Sequence, residues 1–195
     1  VRQCTFSLWK DTPSMLEYAH QGAHQQAIEA AVKELGDFST LVNNVARDDR
    51  HTLESVTPEY WDERMAVNQR PAFFAIQAIA PSMRRLKGGS VINLGSTGWQ
   101  TKGGTYPCYA IAKSSVNGLT RGLAESLGAD RIRINTVSPG WVMTERQLRL
   151  WSDEAAQRRT LDAQCLKRML QPADIAAMAQ TTLSTAKPAT IVNLR

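Results

Sequence analysis

The chain has 195 residues, 43% of them hydrophobic and 21% charged, with a net charge of +5. That length builds one domain with a real core, and that balance excludes a disordered chain. The basic residues fall in scattered groups (Arg84, Arg85 and Lys87; Arg131 and Arg133; Arg158 and Arg159; Lys167 and Arg168) with no stripe of interleaved aromatics, which argues against a nucleic-acid partner.

No apolar run reaches the roughly 18 residues of a membrane span. The cysteines, Cys4, Cys108 and Cys165, are odd in number and form no Cys-x-x-Cys. They fit reduced thiols in a cytoplasmic protein, and neither a disulfide framework nor a metal site is expected.

Residues 1 to 24 show no clear period around Trp9, Met15, Leu16 and Tyr18. His20 and His24 stand four apart with no third ligand beside them and read as a solvated helix end. From Gln25 the pattern sharpens. Ala27, Ile28, Ala31, Val32 and Leu35 recur at helical spacing, with Gly36 placed to close the helix. Leu41 to Val45 reads as a short buried strand. The polar loop Asp48-Asp49-Arg50-His51 follows, either reaching toward a polyol or merely solvated. Thr57 caps and Pro58 opens a second helix, which is expected to run on to about Met83 with Pro71 and Pro81 kinking or dividing it.

After the turn at Gly88-Gly89, Val91 to Leu94 form a strand. A loop from Gly98 to Gly104 leads into a helix that extends to Leu127. Arg131 to Val137 form a third strand, ended by Ser138-Pro139-Gly140, and helical material follows through Met178, with Pro172 opening its last helix. Strands alternating with helices imply a parallel sheet with right-handed crossovers and helices on both faces, an α/β Rossmann-like, doubly wound fold in a single domain over residues 1–195. Trp61 is expected in the core; Trp99, Trp141 and Trp151 line either a substrate wall or the core.

The chemistry centres on Ser96, Tyr109 and Lys113. Ser96 closes the run Ser90-Val91-Ile92-Asn93-Leu94-Gly95, and Tyr109-Ala110-Ile111-Ala112-Lys113 begins thirteen residues later. On a helix, Tyr109 and Lys113 share one face a turn apart, so the ammonium is expected to favour the phenolate. A hydroxyl from the strand end then holds a carbonyl or carbinol oxygen against that phenol. The set moves a proton on and off an alcohol oxygen while a hydride leaves or joins its carbon. All these segments sit at strand carboxyl ends, where open α/β sheets bind ligands.

These residues resemble the short-chain dehydrogenase/reductase family. Ser96, Tyr109 and Lys113 match its catalytic serine and Tyr-x-x-x-Lys motif. Asn43-Asn44-Val45-Ala46 is similar to its Asn-Asn-Ala-Gly segment, Asn68 in Met65-Ala66-Val67-Asn68 falls at its active-site asparagine, and Pro139-Gly140-Trp141-Val142-Met143-Thr144 resembles its Pro-Gly segment. Asp49-Arg50-His51-Thr52, Val56-Thr57-Pro58-Glu59-Tyr60-Trp61 and Gln164-Cys165-Leu166 resemble the family's sugar dehydrogenases, particularly those oxidising D-xylose and related aldoses at C1.

The resemblance implies catalytic roles for Asn68, Ser96, Tyr109 and Lys113. It implies NAD or NADP as cofactor, with NAD favoured by the sugar-dehydrogenase likeness, held in part by Asn43, Tyr109, Lys113, Val142 and Thr144. It also implies a homo-oligomer, dimer or tetramer, and a sugar as substrate. A 3-oxoacyl or other ketone reductase uses the same Ser-Tyr-Lys set.

The likeness covers roughly residues 25 to 179. Nothing in residues 1 to 42 matches the family's Thr-Gly-x-x-x-Gly-x-Gly turn, and no final strand is recognisable after Met178. Both ends therefore read as truncated or frame-shifted, the fold as incomplete, and the strand at Leu41 as carrying an open edge. Thr190-Ile191-Val192 has strand propensity without an assigned place. An inactive remnant without cofactor binding is the non-enzymatic alternative.

Overall fold

The computed structural model describes residues 3–4, 23–102, 104–185 and 189–194. Trp9, Met15, Leu16, Tyr18 and His20 lie outside them. Among the described residues five strands form one parallel sheet, with spatial order equal to chain order: β1 Gln3–Cys4, β2 Thr40–Asn43, β3 Gly89–Leu94, β4 Ile132–Pro139 and β5 Ile191–Leu194. The helices are α1 Ala23–Leu35, α2 Pro58–Asn68, α3 Arg70–Arg85, α4 Pro107–Gly128, α5 Glu145–Leu150, α6 Glu154–Ala163 and α7 Pro172–Thr185.

The alternation of side chains along the strands divides the core in two. Leu41, Val91 and Ile134 stand in register across β2, β3 and β4, and pack with Ile28 of α1, Ile76, Ile79 and Met83 of α3, and Leu127 of α4. On the opposite face, Ile92, Leu94 and Val137 pack against Ile175, Met178 and Leu183 of α7. Helices thus cover both faces, as in a doubly wound sheet. Gly36, at a φ of 85°, closes α1 in the left-handed region and donates its N–H to Val32.

The structure settles two helical stretches that the sequence left open to division and corrects the sequence reading at three places, the edge at Leu41, the final strand and Trp61. The expected long helix is two, α2 and α3, broken at Gln69, whose φ and ψ are −121° and −54°. Pro71 has no N–H to give the carbonyl four residues back, so the ladder stops there. Pro81, in contrast, sits inside α3 without dividing it. The stretch after Gly140 also breaks, because Thr144 and Asp153 each cap a new helix through their side chains.

The edge at Leu41 is not bare over its length, since Gln3 and Cys4 pair with Thr40 and Leu41. A final strand exists: β5 pairs with β4 in parallel, opened by a bond from the Thr190 N–H to Asn135 Oδ1 at 2.9 Å. Four residues are too few to show a period. Trp61, expected in the core, is 38% exposed: it stands in the first turn of α2, whose buried residues begin only at Arg64.

Beyond the strands, Gly95 N–H donates to Val137 O (2.8 Å) and Thr97 N–H to Pro139 O (2.9 Å). The β3 and β4 ends are thereby stitched side by side at the carboxyl edge of the sheet. Among the described residues no helix is long and apolar enough to cross a membrane.

Candidate active site

Ser96 lies two residues past the end of β3, half-buried, with its Oγ accepting the Gly98 N–H at 3.0 Å. A side chain on Gly98 would crowd Ser96 Oγ and the Tyr106 ring, so glycine allows this tight turn. Tyr109, in the first turn of α4, lies with its phenol near Ser96, whose hydroxyl favours the phenolate, and meets Tyr106 edge to face, with centroids 5.7 Å apart.

Burial pushes the Tyr109 phenol up to about 12, aided by the Asp48 and Tyr106 charges, against the Ser96 hydroxyl and the Arg50 cation. Lys113 is 3% exposed and turns its ammonium to Leu94 O at 2.7 Å; burial alone pulls it down to about 8. The expected acidification of the phenol by this lysine is therefore not what the protein's own groups produce. Desolvation of Tyr109 outweighs the Ser96 hydroxyl and the Arg50 cation.

Asn68 ends α2. Its side chain takes the Arg47 N–H at 2.7 Å and donates to Arg47 O and Arg64 O, fastening the loop after β2 to the helix. A cavity of about 20 Å³, room for one water, is lined by Asn43, Asn68, Asn93, Leu94 and Lys113 together with apolar side chains. The structure thus gathers Asn43, Asn68 and Lys113 at one cavity and sets Ser96 beside Tyr109. Val142 and Thr144 stand apart, after β4. Val142 bridges Leu170 through its backbone, and the Thr144 hydroxyl is engaged by the Gln147 N–H at 3.3 Å as the cap of α5.

Behind these residues runs a polar chain that sequence reasoning missed. Asn43, Asn93 and Thr136 are register partners on β2, β3 and β4. Asn43 Nδ2 donates to Asn93 Oδ1 (2.8 Å), Asn93 Nδ2 to Thr120 Oγ1 of α4 (3.0 Å), and the Thr120 and Thr136 hydroxyls lie 2.7 Å apart. Asn93 and both threonines are buried. The signal was present: an asparagine in the middle of an apolar strand must find partners.

The loop at residues 47–51 is neither free nor simply solvated. Burial works against the Asp48 carboxylate, yet hydrogen bonds from Gln147 (2.8 Å) and Arg146 hold it below the usual range. Asp49 meets Arg47 (2.5 Å), buried Arg64 (2.8 Å) and Arg146 (3.0 Å). These pairs tie α5 and α2 to the loop. The Arg50 guanidinium lies between the Tyr106 ring (4.6 Å) and the Trp151 ring (4.7 Å), while Trp141 Nε1 donates to Gln147 Oε1 at 2.8 Å. Trp99 is exposed. Arg50, Tyr106 and Trp151 form a polar-aromatic wall on the Tyr109 side.

A family model described as enoyl-(acyl carrier protein) reductase matches residues 15–191. Among curated proteins, the chain is 48% identical over 153 residues to a Rhizobium meliloti protein named "Probable galactose dehydrogenase", covering 78% of this chain and 60% of that one. It is 44% identical over 153 residues to the D-xylose 1-dehydrogenase of Caulobacter vibrioides, covering 78% and 61%. The chain spans about three fifths of the length of these curated relatives. Among solved structures, a gluconate 5-dehydrogenase of Burkholderia cenocepacia, in complex with NADP and tartrate, superposes with a TM-score of 0.82 at 26% identity, covering 90% of this chain and 71% of that one. With its Ser96–Tyr109 pair and buried Lys113 at the carboxyl edge of a doubly wound sheet, and with these relatives, the chain belongs to the short-chain dehydrogenase/reductase family.

Proposed function

We propose that the protein is an aldose dehydrogenase that oxidises a sugar such as D-xylose at C1, with Tyr109 as acid/base. The observation that carries this reading is the placement of the Ser96 hydroxyl beside the Tyr109 phenol at the strand ends. The likeness to sugar dehydrogenases supports the substrate class. Ser96 holds the anomeric oxygen, and the Tyr109 oxygen receives its proton as the C1–H bond gives up a hydride and a lactone forms. Asn68 and a water in the adjoining cavity relay protons between Lys113 and solvent.

A nicotinamide dinucleotide, when bound, supplies the hydride acceptor. The donor set suits its ribose: Leu94 O takes one proton of the Lys113 ammonium, leaving two for hydroxyls, and Asn43 stands at the same cavity. Val142 and Thr144 sit after the β4 end, where the nicotinamide side of the ligand would lie. NAD is the proposed cofactor and NADP the alternative.

A ketone reductase is the second reading, favoured by one observation. A phenol at about 12 is protonated at neutral pH, the form that donates to a carbonyl oxygen.

Purified chain is offered D-xylose, D-galactose and a 3-oxoacyl thioester with NAD(H) and with NADP(H), while nicotinamide absorbance is followed. Sugar-dependent reduction of NAD supports the first reading. Thioester-dependent oxidation alone supports the second. Absence of a thermal shift with either dinucleotide sinks both and leaves a non-catalytic chain.

A further inference from the structure

We propose that His51 is a positioning residue: as the neutral Nδ1–H tautomer, it caps the helix that carries Tyr109 from a distant loop. Helix α4 lacks a cap of its own. Pro107 at its start has no N–H, and Tyr106 at the cap position, with φ −160° and ψ 54°, makes no side-chain bond to the first turn. The first N–H that needs an acceptor is that of Cys108. It donates to His51 Nε2 at 3.0 Å, across 57 residues of sequence.

A backbone N–H can only donate, so Nε2 must offer a lone pair and the ring proton must lie on Nδ1. There it points at Asp49 O, 2.8 Å away, with the Tyr60 oxygen 3.1 Å off as a second neighbour. The Nε2–H tautomer would set N–H against N–H. The ring is held further by the Tyr60 ring, edge on at 5.0 Å, and the His51 backbone N–H donates to Thr105 O, two residues before α4 begins.

The chain of contacts then runs outward. Asp49, whose carbonyl orients the imidazole, has its carboxylate fixed by Arg47, Arg64 and Arg146. Ion pairs in the loop after β2 thereby set the ring, and the ring sets the first turn of α4, where Cys108 and Tyr109 are adjacent. His51 touches neither Ser96 nor the phenol. It holds the turn that aims Tyr109 at Ser96. Only this last consequence rests on the redox reading; the cap and the tautomer do not.

The test uses the full chain labelled with 15N at histidine, its His51 ring signals assigned by their loss in His51→Gln. A protonated Nδ1 with a bare Nε2 is expected; an Nε2–H ring, or rapid exchange between tautomers, overturns the proposal. Independently, removing the cap with His51→Phe should speed exchange of the Cys108 amide by about fivefold, whereas His51→Gln, whose side-chain oxygen can accept the same N–H, stays near the parent rate. Equal exchange in all three proteins overturns the cap. If the sugar is oxidised, His51→Phe lowers kcat with KM little changed, and Gln restores it. A chain that oxidises no sugar defeats the redox reading alone, since the ring signals and the amide exchange report on the cap without turnover.

Discussion

The Lys113 ammonium donates to the carbonyl of Leu94 at 2.7 Å, inside the protein, one helical turn beyond the phenol it was expected to acidify. Leu94 is the last residue of β3, two before Ser96, so the lysine ties α4 to the strand whose end carries the serine. The bond satisfies one proton of a buried cation and fixes the separation of strand and helix.

The buried lysine makes stability depend on pH. Its folded value of about 8 lies below the ordinary 10.5, so between them the unfolded chain binds more protons and unfolding becomes harder as pH rises. Up to about pH 10 the ordinary phenol value leaves Tyr109 protonated in both states, and over that window Lys113 contributes on the order of 2 kcal/mol. The raised Cys108 thiol acts in the opposite sense nearby, so the comparison with Lys113→Met isolates the lysine. Denaturant unfolding at stepped pH should show the rise in the parent and its loss in the variant.

Tyr109→Phe should lower sugar oxidation by about 10²–10⁴-fold while leaving the fold intact. In the parent, a phenol at about 12 is mostly protonated at neutral pH, and oxidation uses the phenolate. The rate should therefore climb with pH, by about tenfold per unit while the phenolate is the scarce form. A flat profile from neutral to alkaline pH would assign the proton transfer elsewhere.

Gly95 has no room for a side chain: a Cβ there would sit 2.6 Å from Ser138 Oγ and 3.1 Å from Thr136 Cγ2. Gly95→Ala should cost about 1–3 kcal/mol by overpacking and shift Ser96, its neighbour. Adding Ser138→Ala removes the closest atom and should restore part of the loss. Thermal unfolding of the single and double variants measures the coupling.

Thr120→Val keeps the shape of the residue but leaves the Asn93 Nδ2 donor and the Thr136 hydroxyl without their shared partner. With both groups buried, the expected loss is about 1–3 kcal/mol, read from the denaturation midpoint at unchanged slope. Thr120→Ser, which retains the hydroxyl, should lose less.

Local chemistry marked out much of this protein before any fold was known. The apolar run closing on Ser96, the Tyr109–Lys113 spacing, the Thr57–Pro58 helix start and the closing Gly36 depend on neighbours in the chain, and the structure places each at its expected element. The two-helix break at Gln69 was half visible in Pro71. Asn93 was overlooked because the run around it reads as apolar, although its burial demanded partners.

What the tertiary structure decided are quantities set by residues far apart in sequence. The Tyr109 phenol rises because packing removes water from it, which no spacing of tyrosine and lysine can express. Asp48 and Asp49 find Arg146 across almost a hundred residues, and His51 finds the Cys108 amide across 57. Strand β5 shows its propensity at Thr190-Ile191-Val192 but finds its place only through its pairing with β4. Periodicity and motif spacing record what a side chain is and which face it occupies; desolvation and long-range partners arise only when the sheet closes its neighbours around it.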